Sequence, residues 1–213
     1  MGNRIGNQAL AFADGSIPGS KLAANTIPVD KLNANIAVPI HLDEVVASDQ
    51  PSIVFPDLLT SDYDLFEIEL FKILPATDSA QLFCRTAVSG SVLDEGASDY
   101  EYCGLQYRVS TGTISPVNSA GDDGMLLTFG NVGNDTNEDG VSGKITIYKP
   151  TDATFTAVSW DEITNKRADG NLEVNYGSGQ RISAAAAATV GIAFGSGNIT
   201  SGTARLSAKR VGG

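Results

Sequence analysis

The stretch NDTNEDGVSGKIT, residues 134–146, sets Asp135, Asn137, Asp139 and Gly140 in the D-x-N-x-D-G order that opens a calcium loop. In such a loop alternating oxygen ligands wrap a hard cation and the glycine permits the tight turn. The position of the closing bidentate carboxylate holds Thr146, and no helix leads in, so the same residues also read as an acidic, turn-rich β-loop. Calcium is the only cofactor candidate. Trp160, in AVSWDEITNKRADGN, and Tyr176 form the pair that could stack on sugar rings; against this, a lone Trp usually belongs to a core. His41 is the only histidine, so a Ser-His-Asp or Cys-His arrangement would have to be built around it. The spacing of Cys84 and Cys103 makes neither a metal site nor a redox motif, and with cytosolic synthesis both read as buried free thiols. The 25 acidic residues offer carboxylate pairs for glycoside hydrolysis, whose separations a sequence does not give.

Composition narrows the function classes. The chain has 213 residues, enough for one domain plus an appendage, and its Leu, Val, Ile and Phe content can fill a core. A formal charge of −11 argues against nucleic acid, because neutralising phosphates needs clustered Lys and Arg. Acidic surface mainly confers solubility. No stretch is long and apolar enough for a membrane helix, and MGNRIGNQAL lacks the apolar run of a secretory signal, so the expectation is a soluble protein not exported by that route.

Those residues must be held by strands. Period-two runs separated by Gly, Asp, Asn and Ser clusters predict strands at 52–55, 64–72, 81–87, 100–110, 125–129, 144–149, 154–160, 186–194 and 203–211. In DLFEIELFK, Phe66, Ile68 and Leu70 face one way and Glu67 and Glu69 the other, as in a sheet with one buried face. Within AAAAATVGIAF the alanines suit a helix by propensity, but Thr189, Val190 and Ile192 are β-branched and a GSGN turn follows, which predicts a strand. Tyr100 and Tyr102 share one strand face, Tyr107 takes the other, and all read as packing. The expected architecture is an all-β antiparallel sandwich or jelly roll over residues 46–213, preceded by an extended arm over 1–45.

The arm repeats itself. Setting Gly15–Ala24 over Asn25–Ala34 superposes Ile17 on Ile27, Pro18 on Pro28, Lys21 on Lys31 and Leu22 on Leu32. The prolines fix φ and remove a donor, so neither decapeptide is a regular helix or a central strand. Ile17, Leu22, Ile27 and Leu32 are too sparse for a core of their own but spaced to dock on something else, unlike a Gly/Ser linker. VPIHL at 38–42 reads as a shortened third copy.

The phrase GSIPGSKLAANTIPVDKL resembles the Ile-Pro, Lys-Leu repeats near the amino ends of tailed-bacteriophage fibre and tail-associated proteins. YDLFEIELFKILPATDSAQLFCRTAVSG, GASDYEYCG and TVGIAFGSGNITSGTARLSAKR are similar to phage virion proteins in which a Pro-Ala-Thr-Asp strand end precedes a Leu-x-x-Arg strand and the chain closes with a Gly-Asn-Ile-x-Ser-Gly hairpin. Members often end in Leu-Tyr-Gly, where this chain has RLSAKRVGG. The resemblance implies a β-sandwich virion structural protein, assembled as a homotrimer and not an enzyme. The arm would anchor it to other virion proteins of the tail, and its outer loops could contribute to host attachment through a surface glycan. Two other readings stand beside it: a capsid decoration protein, cement or head fibre, whose arm straps capsid subunits, and a polysaccharide-degrading tail enzyme.

Overall fold

The computed structural model describes residues 39–135 and 138–210, and all regular structure there is β. The twelve strands are β1 (Ile40–Gln50), β2 (Ser52–Phe55), β3 (Leu65–Pro75), β4 (Leu82–Ala87), β5 (Tyr100–Arg108), β6 (Thr113–Asp122), β7 (Met125–Leu126), β8 (Val141–Tyr148), β9 (Ala157–Lys166), β10 (Leu172–Arg181), β11 (Thr189–Phe194) and β12 (Ile199–Lys209). They form an eight-stranded sheet, β1-β12-β3-β8-β9-β10-β5-β6, and a four-stranded sheet, β2-β11-β4-β7. Every pairing is antiparallel.

Without β5, β6, β9 and β10, the pairs are first with last (β1–β12), second with seventh (β2–β11), third with sixth (β3–β8) and fourth with fifth (β4–β7). That is a long hairpin wound into two four-stranded sheets, the jelly roll. The β5–β6 and β9–β10 hairpins are insertions that continue the large sheet beyond β8.

The sandwich core follows from alternation. Phe66, Ile68 and Leu70 of β3, Ile145 and Ile147 of β8, and Ala204 and Leu206 of β12 are buried, as are Ile53, Phe55, Leu82, Val190 and Ile192 from the small sheet. Two bulges reset the phase. In β3 the register slips between Leu70 and Ile73, with Lys72 at φ 52°, so Leu70 and Ile73 both point inward while Phe71 is exposed. Across β8 and β9 it slips again, with Glu162 at φ 53°, which turns both Trp160 and Ile163 inward.

Each of the nine expected strands overlaps an observed one, and the Ala run is not helical; its strand begins at Thr189. Three strands were not legible. Residues 40–45, assigned to the arm, belong to β1: Ile40 pairs with Ala208 and His41 with Ser207. β6, TISPVNSAGD, has the composition of a loop, and its Pro116 is tolerated because an edge strand has a partner on one side only. β10, LEVNYGSGQR, inverts the usual pattern: Glu173 and Asn175 are buried while Leu172 and Tyr176 are exposed. Gly177 of β10 is required by close approach, since a Cβ there would lie 2.3 Å from the Trp160 ring.

Trp160 is fully buried, so it is a core residue and not a sugar platform. Its ring packs 6.2 Å from that of Phe129, which stacks on Tyr102 at 6.3 Å. Trp160→Ala should lower unfolding free energy by about 3–5 kcal/mol in urea titration, as for large-to-small changes in a packed core.

Candidate functional site

Among the described residues the sequence-derived candidates do not converge. Asp135 and Asp139 lie in the loop before β8, and Asn137 falls outside the described residues. The Asp139 carboxylate takes the Lys72 ammonium at 3.3 Å, and Glu138 Oε2 accepts the Asp135 backbone N–H at 2.7 Å, turning that carboxylate into the protein. Among the described residues no group of three or more His, Cys, Asp or Glu side chains is placed to hold a metal ion. The arm positions Ile17, Pro18, Leu22, Ile27, Pro28 and Leu32 also lie outside the described residues.

Both thiols are free, but only Cys84 is buried; Cys103 is exposed, which corrects the expectation for that residue. Its strand alternates, and the inward places go to Tyr100, Tyr102 and Gln106. Tyr107, expected to pack, is likewise 38% exposed.

What these strands do bring together is the outer face of the large sheet. Glu101 pairs with Gln180, Gln180 with Ala157, and Ala157 with Tyr148, giving one row across four strands. The next row is Cys103, Ser178, Ser159 and Thr146. Residues directly opposite in a ladder share a face. Small side chains in the middle and tall ones at the ends make a trough of about 510 Å³. Its polar groups are fixed by one another: Gln180 Nε2 donates to Glu101 Oε1 at 2.6 Å, Tyr148 and Ser159 share a hydroxyl hydrogen bond at 3.0 Å, and Cys103 Sγ lies 3.9 Å from Ser178 Oγ.

Insertion strands hold this face from behind. Glu173, fully buried on β10, accepts from Arg167 at 2.6 Å, Arg108 at 3.0 Å and Gln106 at 3.2 Å. Asn175 binds Asn165 at 2.8 Å and accepts the Phe129 N–H at 3.1 Å. The segment after β7 is thereby fastened across the inner side of β9, β10 and β5. Val132 completes the cover, bridging to Ala80 and Arg167. Tyr102 donates to Asp122 at 3.0 Å; burial, then that carboxylate, push its phenol above the usual range.

The trough is lined mainly by small and hydroxyl-bearing side chains. Glu101 is the single carboxylate in its lining, so it lacks the pair that glycoside hydrolysis uses. His41 stands on β1, six strand spacings from β5, up to about 29 Å at 4.8 Å per strand, too far to activate Cys103 or a trough serine. Hydroxyls, a carboxamide and the Tyr148 ring match a neutral, hydroxyl-rich ligand. Tyr148, at 45% exposure, is an exposed ring in the trough where Trp160 is not, and Tyr176 is exposed one row beyond it. The signal for Tyr148 was its place at the outward end of the ITIY alternation.

A second depression lies over the bulges, lined by Glu69, Phe71, Lys144, Asp161 and Glu162. Beside it, burial pulls the Glu67 carboxyl up, but hydrogen bonds from Lys209 at 2.5 Å and Lys144 at 3.1 Å outweigh it and hold the group below its ordinary 4.5.

Two outcomes follow. A folded-state value below the unfolded one makes Glu67 stabilising above its ordinary range, a contribution lost as pH falls through the folded value. Glu67→Gln should therefore flatten the drop in urea midpoint below about pH 5, relative to wild type. Burial pushes the Cys84 thiol up to about 12, against the pull of Arg85, so maleimide should modify at most Cys103 in the native protein and both thiols after unfolding, read by mass spectrometry. No protein-family model, curated protein or solved structure matches the chain.

Proposed function

We propose that this chain is a structural protein of a tailed-bacteriophage particle, assembled as a trimer, tethered by its amino-terminal repeats and engaging a host surface glycan with its outer sheet face. The observation that carries the reading is the trough itself. It is a broad, shallow surface made of Tyr148, Ser159, Ser178, Gln180 and one braced carboxylate. Such a surface recognises hydroxyl-rich ligands through ring stacking and side-chain hydrogen bonds. With a net charge of −11, a neutral glycan meets less repulsion there than an acidic one.

The repeats supply the tether. Ile17, Leu22, Ile27 and Leu32 recur at ten-residue spacing, and two extended decapeptides reach up to about 66–72 Å, enough to cross a neighbouring subunit. The reading makes the protein a binding and assembly module, not an enzyme. The resemblance of the arm's Ile-Pro, Lys-Leu phrases to fibre repeats favours the tail over the head.

Removing residues 1–38 should leave the far-ultraviolet spectrum of the sandwich unchanged and abolish incorporation into particles, scored by immunoblot of purified virions. Normal incorporation of the truncated chain would refute the tether.

A further inference from the structure

The apolar surface of the described residues is unevenly spread. Of the twelve large hydrophobic side chains that stand exposed, six crowd one corner of the large sheet: Leu105, Tyr107, Val109, Ile114, Leu172 and Tyr176. Register places them in adjoining rows. Pro116, Leu105 and Tyr176 lie side by side, Ile114, Tyr107 and Val174 form the next row, and the Val109 N–H bonds the Leu172 carbonyl at 3.1 Å beyond it.

Charge is missing from the same corner. From Val109 to Gly121 there is no Asp, Glu, Lys or Arg, in a chain that is 18% charged. Charges return at the border, where β9 carries Asp161, Glu162 and Lys166. An apolar centre with a charged rim is the anatomy of a protein contact.

The four sheet edges differ in kind. β2 and β7 are short, four and two residues. β1 is long, but carries Asp43, Glu44 and Asp49 and a bulge between His41 and Asp43, the usual protections of a free edge. β6, ten residues long, has no charge between its first residue and Asp122. Its protections are Pro116, which removes a donor from the edge, and a bulge between Ser119 and Asp122, and both disfavour strand addition. A partner therefore meets the side-chain face of the corner instead of extending the sheet.

We infer that this corner of β5, β6 and β10 is a contact face between copies of this chain. Two molecules of net charge −11 repel wherever charged surfaces meet, and the uncharged corner is where a copy can approach with least electrostatic cost. The inference rests on the trimer reading above and names the surface that reading lacks. In a closed ring of three, the corner of one copy abuts a different patch of the next.

The test is light scattering on the full chain during size exclusion, at micromolar concentration, for wild type, Leu105→Glu/Ile114→Glu, and the control Val46→Glu on β1. All three sites are solvent-exposed, and unchanged circular dichroism verifies the fold. Wild type and control should run as the same multimer of the 22.1 kDa chain, and the corner variant should fall to the mass of one chain. A corner variant that keeps the wild-type mass overturns the contact face while leaving the trimer intact, as when the arms alone join the copies. A wild type of single-chain mass overturns both, and leaves the corner to the chain's own arm or to another protein. As a readout that needs no variant, Cys103, one row from Leu105 on the same face, should be labelled by maleimide more slowly as wild-type concentration rises. A rate independent of concentration contradicts the inference.

Discussion

An eight-stranded sheet facing a four-stranded one leaves half of its inner face without a partner sheet, and the rest of the structure depends on how that face is covered. The answer is a polar clasp. Glu173 takes Arg167, Arg108 and Gln106, Asn175 takes the Phe129 backbone, and the segment after β7 is pinned over Trp160 and Tyr102. Such an ion cluster is costly to desolvate and adds little net stability, yet losing one member strands the others as buried, uncompensated charge. Geometry tightens it further, since a Cβ on Gly130 would lie 2.0 Å from Glu173 Oε2.

Covering the inner face frees the outer one. Across β6, β5, β10, β9 and β8 the exposed surface runs from the polar trough at one end of the strands to the uncharged corner at the other. The two share strands but differ in chemistry. Ser178 and Gln180 stand in the trough, while Leu172 and Tyr176, earlier on the same strand, stand in the corner. One inserted hairpin pair thus supplies most of the trough and all of the corner, without changing the jelly roll on which it is built.

Alternation made the jelly-roll strands readable: DLFEIELFK and TVGIAF declare their inward faces because their buried residues are apolar. The insertion was opaque for the opposite reason. β10 buries Glu173 and Asn175 and exposes Leu172 and Tyr176, so the pattern that signals a half-buried strand appears out of phase. Its Gly177, needed where Trp160 presses on the backbone, reads as a turn. β6 reads as a loop because Pro116, Gly121 and its serines suit an edge. Trp160 was singled out for its ring chemistry, but it alternates in phase with Val158 on the inward face of β9, and the bulge at Glu162 then brings Ile163 to the same side. In the candidate cation loop, Asp139 is paired with Lys72, a partner that lies far away in sequence.

The central claim is that this chain is built to be part of a particle, and the most direct measurement is immunogold labelling of intact virions with an antibody against residues 50–213, viewed by electron microscopy. The account predicts gold on the tail or its tip. Gold spread over the head would instead make it a capsid decoration protein with the repeats as straps. Particles that carry no gold, while the infected-cell lysate contains the protein, would contradict the account.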